Sequence, residues 1–162
     1  MKIRKAGLKD AKIIVELITA LAIYEKAEEQ LSITLEQIIE DGFQEKALFD
    51  CLLAEVDNRV VGFALFYKRY STWKGKSLYL EDLFVLNEFR GQQIGKKLFL
   101  EVAQIAKDTN CQRFEWQVLD WNQTAIDFYK SMGATLDSEW INCKFDSHER
   151  IVSFVQQNTE EN

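Results

Sequence analysis

The chain has 162 residues, of which 47% are hydrophobic and 28% are charged, which is enough apolar material for the core of one domain. The formal net charge of −6 argues against nucleic acid or an anionic membrane as the main partner and suits a small cationic substrate, although mild acidity also serves solubility alone. The charged N-terminal segment lacks the apolar stretch of a signal peptide, and no run approaches a membrane span, so we expect a cytoplasmic protein.

Hydrophobic periodicity predicts alternating strands and helices along the whole chain. In chain order the predicted elements are a strand (2–6), two helices (8–24, 34–43), three strands (49–56, 59–70, 77–86), a helix (91–107), a strand (111–119), a helix (123–132), a strand (140–145) and an amphipathic tail. This order favours an α/β or α+β fold in three layers. No linker or repeat divides it, so we predict a single domain over residues 1–162.

Local signals fix several of these boundaries. Thr34 is a suitable N-cap for the second helix, and Gly42 is its predicted stop. Asp57 and Asn58 tolerate left-handed backbone geometry and predict a hairpin turn. Asn122 is predicted to cap the last of the four helices, and Gly133 to follow its end.

The cysteines give no sign of a metal or catalytic site. Cys51, Cys111 and Cys143 form no closely spaced pair and each lies in an apolar segment. We therefore expect three buried thiols in a reducing compartment and no bound metal.

The stretch FRGQQIGKKL, residues 89–98, joins a predicted strand to a predicted helix. The first N–H groups of a helix have no partner within the helix, so this turn is a candidate anion site. Its glycines, Gly91 and Gly95, are separated by three residues, whereas a Walker loop has four and the dinucleotide fingerprint reads G-x-G-x-x-G. The spacing therefore disfavours a nucleotide site. A glycine-entered helix that packs closely on a strand is the structural alternative.

The same stretch resembles the pyrophosphate loop of the GNAT superfamily of acetyl-CoA-dependent N-acetyltransferases, in which R-G-x-G-I-G is common. Here the sequence is RGQQIG, with Gln93 in place of the central glycine. If Gln93 belongs to the first helical turn, its N–H still faces the cofactor. The segments LAIYEKAEEQL, EDGF, LYLEDLFV and WNQTAIDFYKSMGA extend the resemblance to the diamine acetyltransferase branch, which acts on polyamines and thialysine-like amino acids.

The resemblance implies a three-layer α/β/α fold around a mixed, mostly antiparallel sheet, with acetyl-CoA as co-substrate. It places the cofactor on Leu83, Phe84, Val85, Arg90, Gly91, Gln92, Gln93, Ile94, Gly95, Lys96, Asn122 and Ala125. It implies substrate contacts at Tyr24, Glu25, Glu81, Asp82, Glu115, Trp116 and Gln117. A homodimer is also expected from the family.

Two residues are predicted to carry the chemistry. The resemblance makes Tyr129 the acid that protonates the departing CoA thiolate, and Glu81 the group that draws a proton from the amine. Glu81 and Asp82 interrupt an apolar strand, where an acid is costly unless it is paired or functional. Because consecutive strand residues face opposite sides, we expect these two acids on different faces. Glu28 and Glu29 extend the acidic cluster that Glu25 begins at the end of the first helix. The match of Glu139 to a residue of the family stays open.

The predicted function is acetyl transfer to a primary amine of a small cationic substrate, by direct attack in a ternary complex. One alternative keeps the reaction and changes the amine to an amino acid, an aminoglycoside or a protein N-terminus. The other is a CoA-binding module without turnover.

Overall fold

The computed structural model describes residues 1–159, which divide into two compact units, residues 1–117 and the chain from residue 118 onward. The first unit carries a mixed β-sheet. Its strands within the described residues are β1 (Lys2–Lys5), β2 (Asp50–Val56), β3 (Arg59–Ser71), β4 (Gly75–Val85) and β5 (Arg113–Trp116), joined in that order. Pairs from β1 to β4 are antiparallel, and β5 runs parallel to β4. The mostly antiparallel mixed sheet is as predicted.

Three helices of the first unit cover the two faces of this sheet: α1 (Ala11–Glu25), α2 (Leu35–Phe43) and α3 (Ile94–Asp108). Helices α1 and α2 share a buried core with one face of the sheet, built around Ile14, Phe63 and Phe84. Phe99 of α3 packs on Trp116 of β5, with ring centroids 4.9 Å apart.

The strand pairing shows that α3 lies on the other face. Trp116 pairs with Leu80, and Leu80 pairs with Phe66, so all three share one face. Phe66 adjoins Leu65, which belongs to the core under α1, and consecutive strand residues face opposite sides. The first unit alone is therefore a three-layer α/β/α arrangement.

Two of the predicted local signals are confirmed in the first unit. The Thr34 side chain accepts a hydrogen bond from Gln37 N at 3.2 Å, and Gln37 Oε1 accepts one from Thr34 N at 2.9 Å, which forms a capping box. Asp57 and Asn58 have φ of 50° and 64° and join β2 to β3. This is the left-handed pair that a tight hairpin requires.

Gly42 lies one residue before the end of α2 at Phe43, and it lacks the positive φ of a terminating glycine. A Cβ built on Gly42 would come within 2.7 Å of Phe49 Cε2 and closer still to Cζ. The glycine is therefore explained by the close approach of the Phe49 ring, a tertiary contact that the local pattern does not reveal.

The second unit contains α4 (Gln123–Ser131) and α5 (His148–Thr159). The Asn122 side chain accepts a hydrogen bond from Ala125 N at 3.2 Å and caps α4. Gly133, with φ of 86°, follows the end of α4. The strand predicted over residues 140–145 is absent from the described structure, where that segment is irregular and exposed. An apolar run becomes a strand only when another backbone pairs with it.

The prediction of three buried thiols is correct for one of them. Cys51 is buried, Cys111 is half-buried and Cys143 is exposed. Cys143 lies in the irregular segment whose predicted strand did not form, which explains why the apolar context failed to bury it.

Candidate functional site

The glycine stretch forms the turn that leads from β4 into α3. Gly91 has φ of 77°, a conformation that favours glycine. The first hydrogen bond of α3 runs from Lys97 N to Gln93 O at 3.0 Å. The N–H groups of Ile94, Gly95 and Lys96 precede that bond, so they are the donors that a helix N-terminus offers to an anion.

Gln93 does not belong to the first helical turn, which corrects the expectation for this residue. It is the N-cap of α3 and has φ of 63° and ψ of 9°, in the left-handed region. For a residue other than glycine this conformation costs about 1–2 kcal/mol. The position therefore favours glycine for the backbone itself, apart from any crowding of a phosphate.

Close packing does not account for Gly95. A Cβ at Gly95 would meet Val85 Cγ2 at 3.8 Å, an ordinary van der Waals contact. The alternative of a glycine that lets the helix approach the strand is therefore unsupported. The small residue instead leaves the N-terminus of α3 uncovered.

Arg90 links this turn to the end of α1. Its Nε donates to Val85 O at 2.9 Å. Its guanidinium carbon lies 4.1 Å from the ring centroid of Tyr24 and 5.4 Å from that of Phe84, within cation–π range. Thus Tyr24 and Phe84, predicted for substrate and cofactor respectively, are brought together by a residue of the glycine stretch.

The end of β4 leaves its parallel neighbour. The ladder between β4 and β5 covers residues 77–80 and 113–116, whereas β4 continues to Val85. Leu83, Phe84 and Val85 therefore pair with β3 on one side only in the described ladder. A strand segment that pairs on one side only leaves backbone N–H and C=O groups for an added extended chain.

A β-bulge lies in β4 at the two acids. Leu65 pairs with Asp82, and the next residue of β3, Phe66, pairs with Leu80. Glu81 is therefore an extra residue in β4. Bulges bend a strand and change the direction of a side chain, and they are frequent beside active sites.

The bulge puts Glu81 and Asp82 on the same face of the sheet, so the prediction of opposite faces is wrong. Asp82 lies opposite Leu65, and Leu65 shares its face with Tyr67, two residues along β3. The Tyr67 hydroxyl donates to Glu81 Oε2 at 3.2 Å. Strict alternation, on which the prediction depended, ends at a bulge.

These acids form a cluster with Glu25 at the end of α1. Burial raises the pKa of Asp82 to about 7, and the charges of Glu81 and Glu25 add to the shift. Burial also raises the pKa of Glu25. Within residues 1–159, none of these three carboxylates forms an ion pair with an arginine or lysine. The cluster is therefore a concentration of negative charge that the described chain leaves without a cation.

The three residues predicted on β5 and after it do not join this cluster as a group. Glu115 forms ion pairs with both Arg69 and Arg113. Trp116 packs under α3, on the opposite face of the sheet. Gln117 is exposed. Glu28 and Glu29 are likewise exposed, in a short 3₁₀ turn after α1.

Three predicted residues belong to the second unit. Tyr129 lies in α4 and is 7% exposed, with its ring 5.1 Å from that of Phe128. Asn122 is buried and caps α4, and Ala125 is half-buried in its first turn. Burial of the Tyr129 phenol is compatible with a proton donor and with a core aromatic residue.

Comparison with known proteins identifies the family. The model of the acetyltransferase (GNAT) family matches residues 15–134. The chain belongs to this family. It is 44% identical over 140 residues to the thialysine N-epsilon-acetyltransferase of Bos taurus, covering 82% of each chain. It is 37% identical over 160 residues to the spermidine/spermine N(1)-acetyltransferase-like protein 1 of Homo sapiens, covering 93% of this chain and 23% of that protein.

Solved structures agree with this assignment. An integron cassette protein from the mobile metagenome of V. cholerae superposes with a TM-score of 0.79 at 26% identity, covering 96% of this chain and 97% of the other. As a GNAT-family member the protein is an N-acetyltransferase, and acetyl-CoA is the co-substrate of the family. Its described helices include none long and apolar enough to cross a membrane.

Sequence reasoning missed one polar residue beside the acidic cluster. Tyr67 is half-buried on β3, between the buried Phe66 and the exposed Lys68, and its sequence context gives no reason to single it out. The bulge that brings Glu81 to its hydroxyl depends on how β3 and β4 pair. The sequence carries no signal for that contact beyond two acids in an otherwise apolar strand.

Proposed function

We propose that the protein transfers acetyl from acetyl-CoA to a primary amine of a small cationic substrate. The observation that carries this proposal is the cluster of Glu25, Glu81 and Asp82, which within residues 1–159 has no cation of its own. Glu25 and Asp82 are half-buried, and Glu81 beside them is exposed; neighbouring carboxylates that repel one another are costly unless a cation meets them. A substrate with ammonium groups supplies that cation.

The names of the relatives narrow the class of amine substrate. Thialysine and spermidine both carry a primary amine at the end of a flexible chain, together with a second charged nitrogen. We propose substrates of this class, either diamines and polyamines or thialysine-like amino acids. Tyr24, Glu25, Asp82, Glu115 and Gln117 are proposed to contact them, with Glu25 and Asp82 as the charged anchors. Trp116 is left out of this proposal, because it packs on Phe99 of α3 on the opposite face of the sheet.

We assign acetyl-CoA to the turn before α3 and the end of β4. The N–H groups of Ile94, Gly95 and Lys96, which precede the first hydrogen bond of α3, suit the pyrophosphate, and the Lys96 side chain adds positive charge. The single-sided segment 83–85 suits the amides of the pantetheine arm. Arg90, Gly91, Gln92, Gln93, Asn122 and Ala125 complete the proposed cofactor contacts.

The proposed reaction is direct attack in a ternary complex. Glu81 takes a proton from the ammonium, directly or through a water, and the amine attacks the thioester carbon. The C–S bond breaks, Tyr129 gives its proton to the thiolate, and the second proton lost by the attacking nitrogen restores the phenol. Cys51 is a poor nucleophile for a two-step route, because burial raises the pKa of its thiol to about 12.

The decisive experiment is a screen of amines with acetyl-CoA, in which released CoA thiol is measured. We expect turnover with spermidine, a short diamine or thialysine, and far less with a neutral-side-chain amino acid. Acetyl-CoA should raise the Tm more than equal concentrations of ATP or NAD. Stabilisation by acetyl-CoA with no thiol release from any amine would instead favour a CoA-binding module.

Tyr129→Phe tests the assignment of the acid. If the phenol protonates the thiolate, kcat should fall about ten-fold or more, because general acid catalysis contributes at least that much. The Kd for acetyl-CoA should change little. An unchanged kcat would remove Tyr129 from the mechanism.

We further propose a cytoplasmic homodimer in which residues 1–162 act as one domain without nucleic acid or membrane partners. The family match crosses the boundary between the two units, which supports a single domain.

The α5 residues Phe154 and Val155 are 49% and 50% exposed, and such apolar surface is typical of interfaces. Within residues 1–159 the cysteines are unpaired, as in a reducing compartment. Light scattering should give twice the monomer mass.

A further inference from the structure

Tyr67 holds one oxygen of Glu81. Its hydroxyl donates to Glu81 Oε2 at 3.2 Å, and within residues 1–159 this is the one hydrogen bond that the Glu81 carboxylate receives. The Tyr67 ring lies 5.3 Å from that of Tyr79, its partner across the two strands. The Tyr67 phenol is thus held by its contacts with two residues of β4, while the other oxygen of Glu81, Oε1, remains available.

The phenol stays a donor over the whole neutral range. Burial first, and then the negative charge of Glu81, raises the pKa of Tyr67 to about 12. A hydrogen bond donated to a carboxylate stabilises its charged form and fixes its orientation.

The other charged groups near this pair do not replace Tyr67. Asp82 on β4 and Glu25 on α1 are acids and repel Glu81. Arg69 on β3 forms an ion pair with Glu115 and lies over the Tyr79 ring, 5.2 Å from its centroid. Tyr67 therefore supplies the hydrogen bond to Glu81 that Arg69 does not.

We propose that Tyr67 is a positioning residue for Glu81 in the transfer reaction. Its hydroxyl binds Oε2 and aims Oε1 at the amine. When the ammonium gives up a proton, Oε1 receives it, the N–H electron pair becomes the lone pair of the attacking nitrogen, and Tyr67 keeps its own proton. The inference rests on the proposed function, because Glu81 has this role only in acetyl transfer.

The test is Tyr67→Phe, with Tyr70→Phe as the matched control. Tyr70 lies on the same strand and is 75% exposed, and it makes no contact with Glu81. We expect Tyr67→Phe to lower kcat about ten-fold, as for a hydrogen bond to a charged group, with acetyl-CoA affinity and Tm near wild type. The KM for the amine should change much less than kcat, because Tyr67 orients Glu81 and does not bind the substrate. Tyr70→Phe should leave both unchanged.

A double-mutant cycle with Glu81→Gln separates positioning from a general structural effect. If Tyr67 acts through Glu81, Tyr67→Phe should have almost no further effect on kcat once Glu81 is Gln. An equal loss in both backgrounds, or a raised KM with unchanged kcat, would overturn the inference.

A failure of the proposed function looks different. In that case the wild-type protein releases no thiol with any amine. The Tyr67 contact is then tested without turnover, by the ¹³C chemical shift of the Glu81 carboxyl at one pH in wild type and Tyr67→Phe. We expect this chemical shift to change when the hydrogen bond is lost, and an unchanged chemical shift would reject the contact as a positioning device.

Discussion

Asp82 is the residue whose charge the fold accommodates least well. Its carboxyl lies half-buried beside Glu81 and Glu25, and burial is the chief reason that its pKa rises to about 7. An acid whose pKa is higher in the folded state favours folding while it is protonated. That contribution is complete below the ordinary aspartate value, about 4, and is lost as the pH rises through about 7.

Asp82→Asn should therefore stabilise the free protein at high pH. Relative to wild type, we expect little difference near pH 4.5 and a gain that grows to about 1–3 kcal/mol above pH 8. Water that reaches part of the carboxylate screens it and keeps the gain below the full shift. The measurement is urea unfolding across this pH range.

The control for Asp82→Asn is Glu101→Gln, an exposed residue of α3. The control should show no gap that grows with pH. A gap for Asp82→Asn that stays constant from pH 4.5 to pH 9 would contradict the burial of its charge. For the enzyme, the same substitution should raise the KM for a cationic amine, because an anchoring charge is lost.

Gln93 is the residue where the chain departs from the family's glycine. Gln93→Gly removes the left-handed cost of about 1–2 kcal/mol and adds the chain entropy of glycine, about 0.5–1 kcal/mol. We expect stability to be unchanged or higher by up to about 1.5 kcal/mol. The Kd for acetyl-CoA, measured by calorimetry, should be unchanged or lower.

Gln92→Gly is the matched control, because Gln92 is exposed and does not have positive φ. This substitution should destabilise the protein by about 0.5–1 kcal/mol. Equal destabilisation by both changes would mean that Gln93 carries no backbone strain. A weaker acetyl-CoA affinity for Gln93→Gly would assign the glutamine side chain a role in binding.

Helix α2 shows how a tertiary contact overrides local propensity. Alanine favours a helix over glycine by about 1 kcal/mol, so Gly42→Ala would stabilise an isolated α2. In the protein the added Cβ collides with the Phe49 ring, and overpacking costs about 1–3 kcal/mol. We expect net destabilisation of about 1 kcal/mol in thermal or urea unfolding.

The effect of Gly42→Ala on stability should change sign in a second background, Phe49→Ala. In Phe49→Ala the ring is gone, and Gly42→Ala should then stabilise the protein by about 1 kcal/mol relative to Phe49→Ala alone. The same sign in both backgrounds would show that the glycine is retained for a reason other than the ring.

Elements whose signals are local were predictable from the sequence. The capping box at Thr34, the turn at Asp57 and Asn58, and the cap at Asn122 all lie where their residue types require them. Gly42, Glu81 and the segment over residues 140–145 were not predictable in the same way. Each depends on a contact with another segment of the chain: the Phe49 ring, the register of β3 on β4, and a neighbouring strand.

The same distinction between local signals and tertiary contacts applies to the candidate site. The glycine turn and the acids of β4 were visible in the sequence because their residue types are unusual for their positions. The common face of Glu81 and Asp82 and the contact of Tyr67 were not, because both follow from one bulge. A single extra residue in a strand reverses the side on which the next residue is expected.

At the scale of the whole molecule, the charges act together on a cationic substrate. The formal net charge of −6 and the cluster of Glu25, Glu81 and Asp82 have the same sign, so the field that draws an ammonium group extends beyond the cluster. Salt screens exposed charges within about 8–10 Å at physiological ionic strength. We expect the KM for the best cationic amine to rise with added salt while kcat changes little, because the positions of the reacting groups are unaffected.

The measurement is kcat/KM for spermidine, a short diamine, thialysine and a neutral-side-chain amino acid, each at low and high salt. Glu25→Gln should raise the KM more for a triamine than for a monoamine, since a longer cation has more charge to place near the end of α1. Glu101→Gln changes the net charge by the same amount as Glu25→Gln, but Glu101 lies on α3. The control should therefore produce only the small effect common to any lost surface charge. A preference for the neutral amino acid, together with no salt dependence, would overturn the cationic substrate while leaving the acetyltransferase assignment in place.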